Sequence, residues 1–245
     1  MKPQNSTWMR LAPALAATVT LLVEPVQAEV FEKMTTADDT TVHYKVVLPN
    51  GYDPAKTYPA VLALGGGPQT MNTVDNILNR NFRAEAEKRG YIVVAPAAPD
   101  GQLFFLEGDR IFPEFLKVIL ADYKIRDGRF HIAGVSNGGI AALHVAAANP
   151  QYFISVTAFP GYMWEPSAAK LQAISNMCVF MYVGEHDPYM WHGEMKREAA
   201  ILRAYGAVAR YSVEAGQPHR LETLAGGNAS RLFDGFEEAE KGCSK

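Results

Sequence analysis

Cysteine is scarce in this sequence: two residues in 245, too few for a disulfide framework or a cysteine-rich metal site. No basic excess is present either. Lys and Arg number 23 against 26 Asp and Glu, for a net charge of -3. A surface built to neutralise phosphates needs the opposite balance, so no nucleic-acid partner is expected. Internal repeats and low-complexity tracts are missing. Beyond the N-terminus no apolar run approaches the ~20 residues that span a bilayer, so no stable membrane insertion is expected. What remains is ordinary globular composition, 48% hydrophobic and 20% charged. That excludes a disordered, collagen-like or coiled-coil chain. The length suits one large domain or two small ones.

The N-terminus stands apart. Lys2 and Arg10 bracket a short polar stretch, and residues 11–23 are apolar or small with no charge before Glu24. Val26-Gln27-Ala28 then places small residues where a signal peptidase cuts. The expectation is a signal peptide over residues 1–28 and a mature domain over 29–245, secreted or periplasmic.

The remainder alternates between two patterns. Short β-rich or apolar runs cover 41–48, 58–64, 91–95, 130–135, 153–159, 178–183 and 208–213. Between them lie helical stretches at 81–89, 112–123, 138–148, 191–205 and 231–241. Phe112, Phe115, Leu116, Ile119 and Leu120 recur at helical spacing. Gly90 follows its helix where a left-handed cap belongs. Strand and helix at these intervals predict one α/β domain, with a mostly parallel sheet covered by helices on both faces.

Four turns carry the chemistry. Gly134-Val135-Ser136-Asn137-Gly138 has the form G-x-S-x-G between a strand and an alanine-rich helix, the context a nucleophile elbow requires. The glycines leave out side chains that would collide across so tight a turn, and the helix N-terminus favours a developing anion. A serine hydroxyl needs a base to take its proton. Of six histidines, His43 and His131 precede the serine, and His144 sits on the helix after it, a place for a packing residue. His219 lies in Gly216-Gln217-Pro218-His219, a loop after the last strand. An acid is needed to orient the imidazole. Asp187 follows the strand at 178–183 within Gly184-Glu185-His186-Asp187-Pro188; Glu185 competes, and Glu185 or His186 could instead shape the rim. The second backbone donor of an oxyanion hole belongs after an earlier strand. There Gly65-Gly66-Gly67 offers Gly67, or Gly66 one residue earlier, beside the N–H of Asn137.

In this order the four turns resemble the α/β-hydrolase superfamily from about Tyr44 onward. More narrowly they are similar to secreted esterases of the polyhydroxybutyrate-depolymerase and feruloyl-esterase type. The features behind the narrower likeness are 44–51, Tyr123-Lys124-Ile125-Arg126-Asp127, and Tyr152-Phe153 leading to Phe159-Pro160-Gly161. The resemblance implies an α/β-hydrolase fold and a triad of Ser136, Asp187 and His219; the short connection after the strand near Val156 leaves little or no cap domain, and no cofactor or metal is expected. Gly65 stands where many relatives carry His, so the donor glycine stays open between Gly66 and Gly67.

The implied activity is serine ester hydrolysis through an acyl-enzyme, on aryl, short-chain or polyester-type esters, with a small-molecule or polymeric ester as partner. A serine peptidase of prolyl-oligopeptidase-like type and a non-catalytic binding protein on the same fold are the alternatives. Phe104, Phe105, Tyr162, Trp164, Tyr189 and Trp191 fall on loops at one sheet edge and are expected to line an open aromatic cleft. Cys178 starts a strand at the sheet end away from those loops, and Cys243 follows a helix running back to that end, so the two could pair in an oxidising compartment.

Overall fold

The computed structural model describes residues 29–243. The expected signal peptide at 1–28 lies outside the described residues. Eight strands form one sheet in the order β1-β2-β4-β3-β5-β6-β7-β8. β1 (Val30–Ala37) and β2 (Thr40–Val47) form an antiparallel hairpin, and β2 pairs antiparallel with β4 (Ile92–Pro96). From β4 onward every pairing is parallel, through β3 (Ala60–Leu64), β5 (Phe130–Gly134), β6 (Phe153–Ala158), β7 (Cys178–Gly184) and β8 (Val208–Glu214). The expected mostly parallel sheet is present.

The central strands are apolar throughout because both their faces are covered. Along β3, Ala60, Leu62 and Leu64 enter one core while Val61 and Ala63 enter the other. The first core is closed by α3 (Phe112–Asp122), α4 (Asn137–Ala148), α5 (Ala168–Ala173) and α6 (His192–Ala204). The second is closed by α1 (Met71–Ile77), α2 (Arg83–Arg89) and α7 (Ser230–Glu240). In α3 the predicted stripe of Phe112, Phe115, Leu116 and Ile119 is buried. In α7 the buried stripe is Leu232, Phe233, Phe236 and Ala239. Gly90 ends α2 in the left-handed region at φ 79°, as its position predicts.

Three elements escape the sequence reading. β1 is an edge strand whose side chains are mostly solvated, so it carries no apolar run. α5 has six residues and a single buried leucine. The helix expected from residue 81 begins at Met71 and passes through a π-helical turn, Leu78–Phe82, before α2. No helix among the described residues is long and apolar enough to cross a membrane.

Cys178, at the start of β7, is joined to Cys243 after α7, with 6.2 Å between their Cα atoms. The bond pins the C-terminal helix to the sheet end opposite the loops that follow β3, β5, β7 and β8.

Candidate active site

The parallel strands end in those four loops, where α/β sheets gather functional groups. After β5 the chain turns so sharply into α4 that Ser136 takes φ 56° and ψ -122°. This is a left-handed φ that a non-glycine residue adopts only when its surroundings enforce it. The surroundings are close. A Cβ on Gly134 would lie 2.1 Å from the Gly138 carbonyl oxygen, and one on Gly138 would lie 2.0 Å from that of Leu64. The Ser136 N–H donates to the Pro160 carbonyl at 2.8 Å, so the loop after β6 holds the turn from the side.

Ser136 Oγ lies 2.8 Å from His219 Nε2, and His219 Nδ1 lies 2.9 Å from Asp187 Oδ2. The Asp187 side chain is fully buried, and its Oδ1 accepts the Tyr189 N–H at 2.8 Å. A carboxylate with both oxygens occupied and no water around it holds an imidazole in one tautomer and one orientation. The loops carrying the acid and the histidine touch along their backbones. His186 N–H donates to the Gln217 carbonyl, and a Cβ on Gly184 would lie 2.1 Å from the Pro218 carbonyl oxygen. Glu185, the competing acid, accepts the Gly216 N–H at 2.7 Å. It fastens the histidine loop and does not contact the imidazole. His144 bonds Asp109 at 2.8 Å, outside this group.

Opposite the serine, the Gly65–Gly67 loop comes close. A Cβ on Gly66 would meet Ser136 Cβ at 3.4 Å, and Asn137 Nδ2 donates to the Gly67 carbonyl at 2.9 Å. The Asn137 side chain thus ties the elbow to the glycine loop. Beside them opens a cavity of about 220 Å³ whose walls include Gly66, Ser136 and His219.

The six aromatic residues expected to line an open cleft divide into buried residues and residues packed near His219. None of the six lines this cavity. Phe104 is fully buried. Its N–H donates to Gln69 Oε1 at 2.9 Å and its ring packs against Phe112 at 5.0 Å, so it belongs to the core. Phe105 is buried against Trp164. Tyr189 and Trp191 flank the His219 ring edge-on at 4.6 and 4.9 Å, and Tyr162 backs Trp191 at 5.0 Å. These three shape the environment of the histidine. The cavity wall comes instead from Thr73, Asn76, Ile77, Arg80 and Asn81, together with Val135, Phe159, Arg220 and Leu221. The first four lie on the helical segment that the sequence reading left out. Its π turn is the one signal that marks them, since such turns recur at functional sites.

One more carboxylate belongs to this end of the molecule. Both oxygens of buried Glu198 accept the Met163 N–H, at 2.7 and 3.0 Å. Burial pushes its carboxyl up to about 7, despite that hydrogen bond.

A strained serine hydrogen-bonded to a histidine that is itself bound to a buried aspartate defines the class: the α/β-hydrolase fold with its elbow relay in place. Residues 108–231 match the Esterase family, described as "Putative esterase", and the chain belongs to that family. Solved structures repeat the fold. A thermostable esterase superposes with a TM-score of 0.65 at 20% identity, over 89% of this chain and 62% of its own; the chain therefore spans under two thirds of that protein. The feruloyl esterase module from Clostridium thermocellum, complexed with sinapinate, gives 0.62 at 18% identity, over 80% of this chain and 83% of that one. An S-formylglutathione hydrolase from Agrobacterium tumefaciens gives 0.62 at 16%, over 88% and 95%.

Proposed function

We propose that this chain is a secreted serine carboxylic-ester hydrolase working through an acyl-enzyme. The observation that carries the reading is the continuous relay from Ser136 Oγ through His219 to Asp187, at 2.8 and 2.9 Å, on a serine held at positive φ. Ser136 Oγ attacks the ester carbonyl and gives its proton to His219 Nε2. The bond to the alcohol oxygen breaks, and the same proton passes to the departing alcohol. Water then attacks the acyl-serine, losing a proton to His219 that returns to Ser136 Oγ as the acid leaves. Asp187 stabilises the imidazolium in both halves. The backbone N–H groups of Asn137 and Gly67, or Gly66, receive the oxyanion. Each such donor contributes roughly 3 kcal/mol of transition-state stabilisation.

Secretion rests on the charged, apolar and small-residue pattern of 1–28. The Cys178–Cys243 bond agrees with an oxidising compartment. Residues 29–245 are then the catalytic domain. A cavity of about 220 Å³ lies below the ~300–1,000 Å³ of drug-sized sites, which favours a short acyl group over a segment of polyester.

The test is turnover of 4-nitrophenyl acetate and butyrate by the mature chain and by Ser136→Ala. The substitution should lower kcat by about 10⁴–10⁶. Turnover that survives it would overturn the mechanism. No turnover by the parent protein would favour a binding role on this fold.

A further inference from the structure

The cavity beside Ser136 is more cationic than ester hydrolysis requires. Ile77, Val135, Phe159 and Leu221 give it apolar walls, but Arg80 and Arg220 also enter the lining from separate elements. Arg80 comes from the π turn, and Arg220 follows the relay histidine directly. The Arg80 side chain is 19% exposed and pairs with Glu222 Oε1 at 2.5 Å. Arg220 approaches a neutral partner, its Nη2 standing 3.5 Å from Asn76 Oδ1. No carboxylate within ion-pair distance of Arg220 is found among the described residues. Two guanidinium groups therefore face one carboxylate. Their joint field reaches Glu222, whose carboxyl is held below its usual range by the Arg80 hydrogen bond, against a smaller desolvation effect, and then by the charges of Arg80 and Arg220.

A guanidinium is a planar fork that matches a carboxylate with two parallel hydrogen bonds. Glu222 answers Arg80, and Arg220 has only a neutral partner, so one guanidinium charge at the cavity is left for an anion from outside the chain. The acyl group is the part of an ester that stays bonded to the serine through both half-reactions, and Ser136 is part of this cavity wall. On the far side of His219 the flanking ring of Tyr189 is 64% exposed, an open exit for the alcohol.

We propose that the preferred substrates are half-esters of short dicarboxylic acids, with the free carboxylate held by Arg220 and Arg80 while the ester carbonyl sits at Ser136. This rests on the ester-hydrolase reading and narrows it from short acyl groups to short acyl groups ending in an anion.

Monoethyl glutarate and ethyl valerate have acyl chains of equal length and differ in a terminal carboxylate against a methyl group. The measurement is ethanol release from each, for the parent protein, Arg220→Gln, Arg80→Gln and the double variant, read as the ratio of the two kcat/KM values. The parent should favour the half-ester about tenfold or more, as a charge-assisted hydrogen bond provides, and the advantage should shrink in added salt. The ratio should fall towards unity in Arg220→Gln and in the double variant. A parent ratio near or below one, or an advantage that survives in the double variant, would overturn the proposal. Arg220 is exposed, so its single variant decides the matter if Arg80→Gln fails to fold. Failure of the parent on the half-ester, on ethyl valerate and on 4-nitrophenyl acetate alike would instead sink the hydrolase reading.

Discussion

Both ends of the sheet carry a serine, a histidine and an acid. At the loop end Ser136, His219 and Asp187 form the relay described above. At the opposite end Ser155 Oγ lies 2.7 Å from His131 Nδ1, and His131 Nε2 lies 3.6 Å from Glu240 Oε1. The side chains are of the same kind, and the settings are opposed. Ser155 and His131 sit in β6 and β5 and are fully buried. His131 stacks on Phe236 at 4.8 Å, and burial lowers its pKa, with Glu240 working the other way. Ser136 instead stands on a strained turn at a cavity wall, between two loops rich in backbone donors. The contrast teaches that a serine, a histidine and an acid brought together are not in themselves a reactive group. Backbone geometry and access separate a candidate nucleophile from a buried core contact.

The sharpest way to break that comparison is to remove each histidine in turn. His219→Gln should cost about 10⁴-fold or more in kcat on 4-nitrophenyl butyrate. His131→Gln should leave kcat within a few-fold and lower Tm, because it disturbs a buried hydrogen bond worth ~1–3 kcal/mol when left unmet. Comparable kcat losses in the two variants would erase the distinction between the two ends.

A smaller effect separates them through the disulfide. Cys178 and Cys243 are 65 residues apart in sequence, and a cross-link of that span stabilises by about 4 kcal/mol on chain-entropy grounds. Cys243→Ser should lower the urea midpoint accordingly while kcat at 25 °C holds steady. A fall in kcat matching the fall in stability would mean that the far end governs the site.

The least of the three concerns Glu198, which clamps Met163 in the stretch that follows Pro160, the partner of the Ser136 N–H. The nearest charges acting on it are Glu194, which raises its pKa, and Arg197, which lowers it. Its folded pKa, about 7, stands above an unfolded value near ~4.3. Its contribution is therefore full at low pH and is lost as pH rises through 7, by about 3 kcal/mol. Tm of Glu198→Gln should fall less than that of the parent between pH 5 and pH 8. Parallel Tm profiles would show that Glu198 is ionised without penalty. Glu214 makes the opposite case. Its hydrogen bond with Arg231, outweighing desolvation, holds its carboxyl at about 2, so its contribution is present at neutral pH and is lost only as pH falls towards 2.

Much of this was legible in the chain. Central strands such as Ala60–Leu64 are unbroken apolar runs because both faces are covered, and that pattern survives any tertiary detail. Gly134, Ser136 and Gly138 were legible because a turn this tight admits few residues. Asp187 and His219 were placed by following the order of strands, since loops at the carboxyl ends of parallel strands must share one edge. The cavity wall was not legible. Asn76, Ile77 and Arg80 belong to a helix with a π turn, and the extra residue in that turn breaks the 3.6-residue period by which a helix is recognised. Phe104 misled for a related reason. Phe104 lies on a loop in the sequence, but the bond from its N–H to Gln69 accompanies a ring packed in the core, and an apolar residue reads the same whether it faces a ligand or a core.

The sequence alone determined the alternation of strand and helix and the class of the fold, and it nominated Ser136, His219 and Asp187 as the site. Each depends on local periodicity or on a turn that few residues can make. Tertiary structure decided how closely Gly66 approaches Ser136, that Tyr189 and Trp191 pack on the His219 ring, and that Arg80 and Arg220 share one small cavity. Those facts depend on distances between segments well separated along the chain, and such distances are set by how the loops and the two helix layers pack on the sheet.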